Sequence, residues 1–187
     1  MRVITGTAKG KKLKEVPGNT TRPITDRTKE ALFSILGNWI IEARMLDLFG
    51  GTGAVGIEAL SRGAAHVTFV ELALAALRVI YHNLQQTNLS ANASVIRGDA
   101  FKTLEQIPSN PYHIIYIAPP QYKELWEKAL TMVDRRPDLL TEDGIAIVQI
   151  HPKEFKNLSL TNLSLYDQRK YGSTLLCFYE KGMFHLG

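Results

Sequence analysis

The chain has 187 residues, of which 45% are hydrophobic and 21% are charged, so we expect one globular core with a short extension. No apolar run approaches the ~20 residues that cross a bilayer, and the basic start lacks the apolar segment of a secretory signal, which predicts a cytoplasmic protein without a membrane span. The single cysteine, Cys177, excludes an internal disulfide and a cysteine cluster for metal, and its apolar neighbours predict a buried thiol.

The first predicted element is a basic extension over residues 1–24, ahead of a domain that covers residues 25–187. The net charge is +4, to which residues 1–30 contribute +5 and the remaining residues −1. A basic segment beside a nearly neutral body is expected where a protein contacts a phosphate backbone, although a solvated tail without a partner would have the same composition. We expect the extension to form an RNA-binding hairpin. The candidate contacts in it are Arg2, Lys9, Lys11, Lys12 and Arg22.

The rest of the chain alternates helix-like and strand-like runs that are separated by turn residues. Thr25 and Asp26 can cap a first helix, whose apolar residues recur with the helical period and which ends near Gly37. Further helices are predicted at 54–62, 74–87, from 101 onward and at 123–133. Strands are predicted at 45–49, 66–71, 93–97, 114–118 and 145–150. Residues 163–170 and 174–180, joined by Tyr171-Gly172-Ser173, predict a closing antiparallel hairpin.

This order of elements predicts an α/β protein with a doubly wound, mostly parallel sheet of seven strands and helices on both faces. Ligands of such sheets bind beyond the carboxyl ends of the strands. The turns that follow the first four strands are therefore expected to form the functional site.

Residues 47–53 read Asp-Leu-Phe-Gly-Gly-Thr-Gly and predict a glycine turn between the first strand of the alternating series and its helix. Glycines there allow a ligand to approach the backbone closely, because a β-carbon would collide with it. Gly51, Gly53 and Gly56 also match the dinucleotide pattern G-x-G-x-x-G, so a nicotinamide-dependent oxidoreductase is one hypothesis. The chain has no evident substrate domain for such an enzyme.

Three carboxylates lie at or near the ends of three consecutive strands and favour a different cofactor. Asp47 can face a sulfonium and an amino group but would repel a pyrophosphate. Glu71 can accept hydrogen bonds from ribose hydroxyls, and Asp99 can accept one from an adenine amino group. The set predicts S-adenosylmethionine, which is cationic and carries adenine. The alternative for Asp47 and Asp99 is that each only caps the helix that follows it.

Several stretches resemble one known family over nearly the whole chain. They are the glycine-turn segment at 46–65, the segments Arg-Val-Ile-Thr-Gly at 2–6, Lys-Gly-Lys at 9–11, Arg-Pro-Ile-Thr-Asp-Arg at 22–27 and Glu-Ala-Leu-Phe at 30–33, and Tyr-Gly-Ser-Thr at 171–174. This pattern is similar to that of the guanine-N2 methyltransferases of bacterial 16S ribosomal RNA, the small-subunit rRNA methyltransferase D family. The resemblance implies a Rossmann-like class I methyltransferase, in which Arg22 and Thr25 contact RNA or shape the pocket. It implies S-adenosylmethionine binding by Asp47, Phe49, Gly51, Thr52, Gly53, Glu71, Leu72, Asp99 and Ala100.

The proline motif after the fourth strand of this series departs from the pattern of families that methylate exocyclic amines. Those families carry Asp or Asn, two prolines and then an aromatic residue, whereas this chain has Ala118-Pro119-Pro120-Gln121-Tyr122. The lone pair of such an amine is delocalised into the ring, so catalysis needs an acceptor that holds the amine in line with the methyl group. The carbonyls of Ala118 and Pro119 are candidate acceptors, fixed by the two rigid prolines, and Tyr122 is expected to stack on a flipped base.

The predicted function is transfer of a methyl group from S-adenosylmethionine to N2 of a guanine in 16S ribosomal RNA, with no metal and no obligate protein partner. The RNA partner would be free or part of an assembling small subunit. The alternative is an RNA-binding protein that keeps the cofactor pocket but has weak or no turnover, because its proline motif lacks the acid.

Among the remaining residues, the histidines show no metal-ligand spacing. Tyr112 and Tyr116 are expected to pack in the core, and Trp126 to pack there or to line an RNA cleft.

Overall fold

The computed structural model describes residues 1–18 and 23–182 of the chain. Its helices are α1 (Asp26–Leu36), α2 (Ala54–Ser61), α3 (Leu74–Gln86), α4 (Ala100–Gln106) and α5 (Leu125–Asp134). Its strands are β1 (Arg44–Asp47), β2 (His66–Glu71), β3 (Ala93–Arg97), β4 (Tyr112–Ile117), β5 (Leu140–Ile150), β6 (Leu163–Tyr171) and β7 (Thr174–Lys181). Short 3₁₀ turns lie at Gly37–Ile40, Ser90–Asn92, Pro137–Leu139 and Pro152–Glu154.

The strands form one sheet of seven in the order β3-β2-β1-β4-β5-β7-β6. The pairs among β1 to β5 are parallel, and β7 runs antiparallel to both β5 and β6. The direction of winding reverses between β1 and β4, which is the position where sheets of this kind leave a crevice at their carboxyl ends. The predicted doubly wound, mostly parallel sheet with a closing hairpin is confirmed.

Helices cover both faces of the sheet because its central strands are apolar on both sides. Met45 packs with α1, α2 and α3 on one face, and its neighbour Leu46 packs with α4 and α5 on the other. Trp126 of α5 is 1% exposed and stacks on Phe155 with ring centroids 6.3 Å apart. Trp126 therefore packs in the core and does not line a cleft. Cys177 is buried, as predicted.

Several element boundaries differ from the sequence prediction, most of them by one or two residues. β1 ends at Asp47 and not at residue 49, because the glycine turn begins to bend the chain there. α5 begins at Leu125 and not at residue 123, since Tyr122 and Glu124 have positive φ angles of 61° and 54°, which no helix accommodates. β5 begins at Leu140 and not at residue 145. Its early residues carry Glu, Asp and Gly, which read as a turn in the sequence.

The N-terminal segment folds against α2 and α3 as a hairpin. Arg2 and Lys12 form an antiparallel bridge, and the apolar side chains of Val3, Ala8 and Leu13 are buried in the core beneath it. Four backbone N–H groups of the hairpin donate to Glu58 or Ser61 of α2, those of Ile4, Thr5, Thr7 and Ala8. The described part of the N-terminal segment is therefore a docked hairpin and not a free tail. RNA binding by this segment, and the division of the chain at residue 24, stay predictions.

Glu58 of α2 anchors this hairpin from inside the protein. Its carboxylate accepts hydrogen bonds from the backbone N–H groups of Ile4 at 2.9 Å and Thr5 at 3.1 Å. The fully buried Lys29 of α1 lies 3.3 Å from the same carboxylate and donates to the carbonyl oxygen of Arg2 at 2.7 Å. One buried ion pair thereby connects α1, α2 and the hairpin.

Candidate functional site

A cavity of about 830 Å³ lies beyond the carboxyl ends of β1, β2, β3 and β4. The turns that follow these four strands form its walls, as the strand order predicts. Residues 15, 16, 18, 23 and 24, which follow the N-terminal hairpin, complete the rim. Of the nine predicted cofactor residues, eight line the cavity: Asp47, Phe49, Gly51, Thr52, Glu71, Leu72, Asp99 and Ala100.

Gly53, the ninth predicted cofactor residue, lies behind the cavity wall. It has a φ of +81° as the residue that precedes α2, a left-handed conformation that favours glycine. Gly56 packs α2 on the sheet, because a β-carbon there would lie 2.3 Å from Cε1 of Phe69. Of the three glycines of the dinucleotide pattern, only Gly51 faces the cavity. The other two satisfy the geometry of the turn and of helix packing.

Asp47 lies at the floor of the cavity with a buried carboxyl group. It is 2% exposed, and its Oδ1 has no hydrogen-bond partner among the described residues. Burial and the nearby charge of Glu71 raise the pKa of this carboxyl from 3.8 to about 7, against a smaller opposing effect of the Phe49 N–H. A buried acceptor without a partner is costly, so this oxygen suits a cationic or hydrogen-bonding group of a ligand. Asp47 does not act as a helix cap.

Glu71 connects the end of β2 to the glycine turn. Its Oε2 accepts a hydrogen bond from the Gly51 N–H at 2.8 Å. Its Oε1 accepts from the N–H groups of Leu72 at 3.1 Å and Ala73 at 3.0 Å. These bonds fix the carboxylate at the cavity wall, where its remaining lone pairs can accept from ribose hydroxyls.

Asp99 both caps a helix and lines the cavity. Its Oδ1 accepts from the N–H groups of Phe101 and Lys102, each at 3.0 Å, at the start of α4. The capping role that the sequence left open for Asp99 is therefore present. Because a carboxylate has two oxygens, capping through Oδ1 is compatible with the predicted contact to an adenine amino group.

The proline motif forms the opposite wall. All four of its predicted catalytic residues, Ala118, Pro119, Pro120 and Tyr122, line the cavity. Tyr122 is 63% exposed with a φ of +61°, and its N–H donates to Oε1 of Glu154 at 2.8 Å. Its ring lies 5.6 Å from that of His151. The aromatic ring is thus held at the mouth of the cavity, where a base could stack on it.

The structure adds two polar residues that the sequence reasoning missed. Tyr116, expected only to pack, is 2% exposed but lines the cavity, and its hydroxyl donates to Oε1 of Gln149. Burial and the charge of Asp47 raise the pKa of Tyr116 well above its usual range. Gln149 of β5 lines the cavity as well. A glutamine within the apolar run Ile145–Ile150 was the signal available in the sequence. Tyr112 is buried, as expected.

The predicted RNA contacts that the structure describes lie outside the cavity walls. Arg2, Lys9, Lys11 and Lys12 are exposed on the hairpin. Thr25 caps α1 by accepting from the Thr28 N–H at 3.1 Å. Arg22 lies outside the described residues. RNA binding by these side chains stays a prediction.

Neither a metal cluster nor a membrane span is found where the structure describes the chain. Within residues 1–18 and 23–182, no three His, Cys, Asp or Glu side chains are grouped closely enough to hold a metal ion. None of the helices in that part of the chain is both long and apolar enough to cross a membrane.

Comparison with known proteins identifies the family. A family model described as "Conserved hypothetical protein 95" matches residues 1–180. The chain is 31% identical to the protein named "Ribosomal RNA small subunit methyltransferase D" of Escherichia coli K12, over 97% of this chain and 90% of the relative. This chain belongs to the small-subunit ribosomal RNA methyltransferase D family.

Two further similarities agree with membership of the methyltransferase D family. YlbH of Bacillus subtilis strain 168 is 36% identical over 97% of this chain and 99% of its own length. The solved structure of yhhF from Escherichia coli superposes with a TM-score of 0.83 at 32% identity and covers 97% of each chain. The predicted family and its Rossmann-like methyltransferase fold are confirmed, and so is S-adenosylmethionine as cofactor. The nicotinamide hypothesis is therefore not supported.

Proposed function

We propose that the protein transfers a methyl group from S-adenosylmethionine to the exocyclic N2 of a guanine in 16S ribosomal RNA. The observation that carries the proposal is that one cavity combines the buried carboxyl of Asp47, whose Oδ1 has no hydrogen-bond partner among the described residues, with the proline motif on the opposite wall. The small-subunit name of the Escherichia coli relative supports the choice of RNA. Guanine N2 is supported by the resemblance in the sequence. Ribosomal RNA as substrate also implies a cytoplasmic location.

The residues around the glycine turn fit the cofactor. Asp47 would face its cationic end, Glu71 its ribose hydroxyls and Asp99 its adenine amino group. Gly51 leaves room for close approach, since its side is open to the cavity. S-adenosylmethionine supplies a methyl group on a positively charged sulfur, which a nucleophile displaces in line without a covalent enzyme intermediate.

The proline-motif wall would receive the base. Pro119 and Pro120 restrict the backbone, so their segment holds the carbonyls of Ala118 and Pro119 in fixed directions. Tyr122 would stack on a base that has left the RNA helix. Positioning of the amine is the contribution expected of the protein.

The proposal is tested by incubating the purified protein with under-methylated small-subunit ribosomal RNA and labelled S-adenosylmethionine. We expect label in N2-methylguanine after nuclease digestion. Asp47→Asn is expected to weaken cofactor binding and to lower labelling, because it removes the buried carboxylate that would face the cation. Asp143→Asn, at an exposed acid of β5 that does not line the cavity, is the matched control. Absence of label in guanine with the wild-type protein would refute the proposal.

A second candidate function rests on Ala118, which replaces the acid of the usual motif. The protein would then bind both cofactor and RNA but turn over weakly or not at all. Calorimetry that detects both ligands, together with the absence of methylated product, would select this candidate.

Restoring the motif distinguishes the two candidates further. Ala118→Asp or Ala118→Asn is expected to raise the rate of methyl transfer, because either side chain adds an acceptor for the target amine, an effect of up to about 10²-fold. Single-turnover methylation under saturating cofactor is the measurement. An unchanged rate would show that the missing acid does not limit the reaction.

A further inference from the structure

Gln149 is the one polar side chain of the apolar run Ile145–Ile150 at the end of β5. Its side chain is partly exposed in the cavity, and its Oε1 accepts the hydrogen bond that the Tyr116 hydroxyl donates. Neither residue belongs to the cofactor turn or to the proline motif. Their polar contact at the cavity wall has no role in the function described so far.

The strand register places Gln149 beside the altered position of the proline motif. β4 and β5 are parallel, and Tyr116 pairs with Ile147 and Ile117 with Val148. The residue that directly follows β4 is Ala118, and the corresponding residue of β5 is Gln149. Because side chains alternate along a strand, Ala118 and Gln149 lie on the same face as Tyr116. The polar group of Gln149 therefore lies next to the place where related amine methyltransferases carry an acid.

The chemistry of a carboxamide fits the edge of a base that carries an exocyclic amine. Its oxygen has two acceptor sites, of which the Tyr116 hydroxyl occupies one, and its nitrogen has two donors. An exocyclic amine next to an unprotonated ring nitrogen presents the complementary donor and acceptor, as N2 and N3 of guanine do. The Tyr116 hydroxyl stays protonated because burial and Asp47 raise its pKa, so it keeps the proton that it donates to Oε1.

We propose that Gln149 supplies the acceptor that Ala118 lacks, with Oε1 accepting from the target amine and Nε2 donating to the adjacent ring nitrogen. This inference rests on the proposed methyl transfer to a base amine. In that step the amine nitrogen forms a bond to the methyl carbon, the carbon–sulfur bond breaks and its electron pair returns to sulfur. The proton of the resulting ammonium leaves to water, since a neutral carboxamide cannot hold it. Tyr116 is a positioning residue that orients the amide.

The first experiment replaces Gln149 by a side chain of similar length without hydrogen-bonding groups. Gln149→Met is expected to lower kcat for methylation of under-methylated small-subunit RNA by about 100-fold, the effect of losing one aligned polar group in a transition state. The affinity for S-adenosylmethionine, measured by calorimetry, is expected to remain unchanged. Gln106→Met, at an exposed glutamine of α4 outside the cavity, is the matched control. A kcat for Gln149→Met equal to that of the wild type overturns the inference.

A double variant separates catalysis from folding. Gln149→Met leaves the buried Tyr116 hydroxyl without its acceptor, which destabilises the protein, whereas Tyr116→Phe/Gln149→Met removes both partners. We expect the double variant to recover thermal stability but not kcat. Recovery of kcat together with stability would mean that the loss came from misfolding, and would overturn the inference.

Rescue at the neighbouring position completes the test. Ala118→Asn is expected to raise kcat more in the Gln149→Met protein than in the wild type, because the two amides perform the same task and are not additive. Equal increases in both backgrounds would overturn the inference while leaving the proposed function intact. A wild-type protein that forms no methylated base would instead overturn the proposed function, and the inference with it.

Discussion

At the scale of single residues, the raised pKa of the buried Asp47 carboxyl is expected to make stability and cofactor binding depend on pH. Its carboxyl faces Glu71 from β2 and Tyr116 from β4, and the Phe49 N–H from its own turn. Burial is the main reason that its pKa rises to about 7, and the charge of Glu71 adds to it. The pKa of Asp47 is higher in the folded protein than in the unfolded chain. As the pH rises from about 4 to 7, the unfolded chain therefore loses this proton first, and the free energy of unfolding decreases. A cationic ligand at this carboxyl has the opposite preference and binds the ionised form.

The affinity for S-adenosylmethionine is therefore expected to depend on pH around 7. Below the pKa of Asp47 the dissociation constant should increase by up to about tenfold for each pH unit, and above it the constant should level off. Titration calorimetry between pH 5.5 and 8.5 is the measurement, in buffers matched for ionic strength ~0.1 M. Asp47→Asn should bind more weakly and lose this dependence, whereas Asp143→Asn should keep it. A wild-type affinity that is flat across pH 7 would contradict the assignment.

At the scale of elements, α2 is connected to its surroundings on two sides. Gly56 allows it to pack closely on β2, and Glu58 joins it to α1 and to the N-terminal hairpin. Both side chains of the Lys29–Glu58 pair are 0% exposed. A buried pair contributes little compared with apolar packing, but removing one partner leaves the other charge without compensation. The docking of the hairpin therefore depends on a carboxylate within α2.

Glu58→Gln is expected to destabilise the protein by about 3 to 5 kcal/mol, because it removes the buried carboxylate 3.3 Å from Lys29 and leaves that charge with the more distant and more exposed Asp26, at 4.0 Å. Denaturant unfolding is the measurement, and limited proteolysis should detect earlier cleavage in residues 1–18. Glu127→Gln removes the partner of Lys156 in a surface pair with a 2.9 Å separation and serves as control. The control should leave stability unchanged because surface pairs are solvated. Equal stability of Glu58→Gln and wild type would show that the pair does not hold the hairpin.

At the scale of the whole molecule, the basic hairpin and the cavity are neighbours. The residues that follow the hairpin, 15, 16 and 18, reach the cavity rim. The apolar side of the hairpin is buried in the core, and its basic side chains are exposed. In this arrangement the basic side chains could contact the phosphate backbone of RNA and orient it while one base enters the cavity.

RNA binding is accordingly expected to weaken with salt and to depend on the hairpin. In Lys9→Gln/Lys11→Gln, the slope of log affinity against log salt should decrease by about 1 to 2, since each lost phosphate contact releases one counterion fewer. Fluorescence anisotropy with a labelled small-subunit RNA fragment is the measurement. Arg135→Gln, at an exposed residue after the end of α5, is the control because α5 packs on the face of the sheet opposite to α1, α2 and α3. A slope equal to that of the wild type would rule out phosphate contacts by these lysines.

The sequence by itself determined the elements and the chemistry of the cofactor turn. Apolar periodicity and apolar runs between turn residues predicted the five helices and seven strands that the structure describes, since burial on one face or on both leaves a local pattern in the chain. Glycines and carboxylates next to strand ends predicted Asp47, Glu71 and Asp99 at one cavity, because parallel strands bring their carboxyl ends together. The sequence-based prediction was wrong at element boundaries such as the start of β5, where charged residues belong to a strand.

Only the tertiary structure decided which side chains of different elements contact each other. The partner of Tyr116, the buried pair of Lys29 and Glu58, and the position of Gln149 beside Ala118 depend on the register between strands and on helix packing. These contacts join residues that are up to 33 positions apart in the chain. No local pattern records them, because a strand of the same composition can pair in several registers until the whole core selects one.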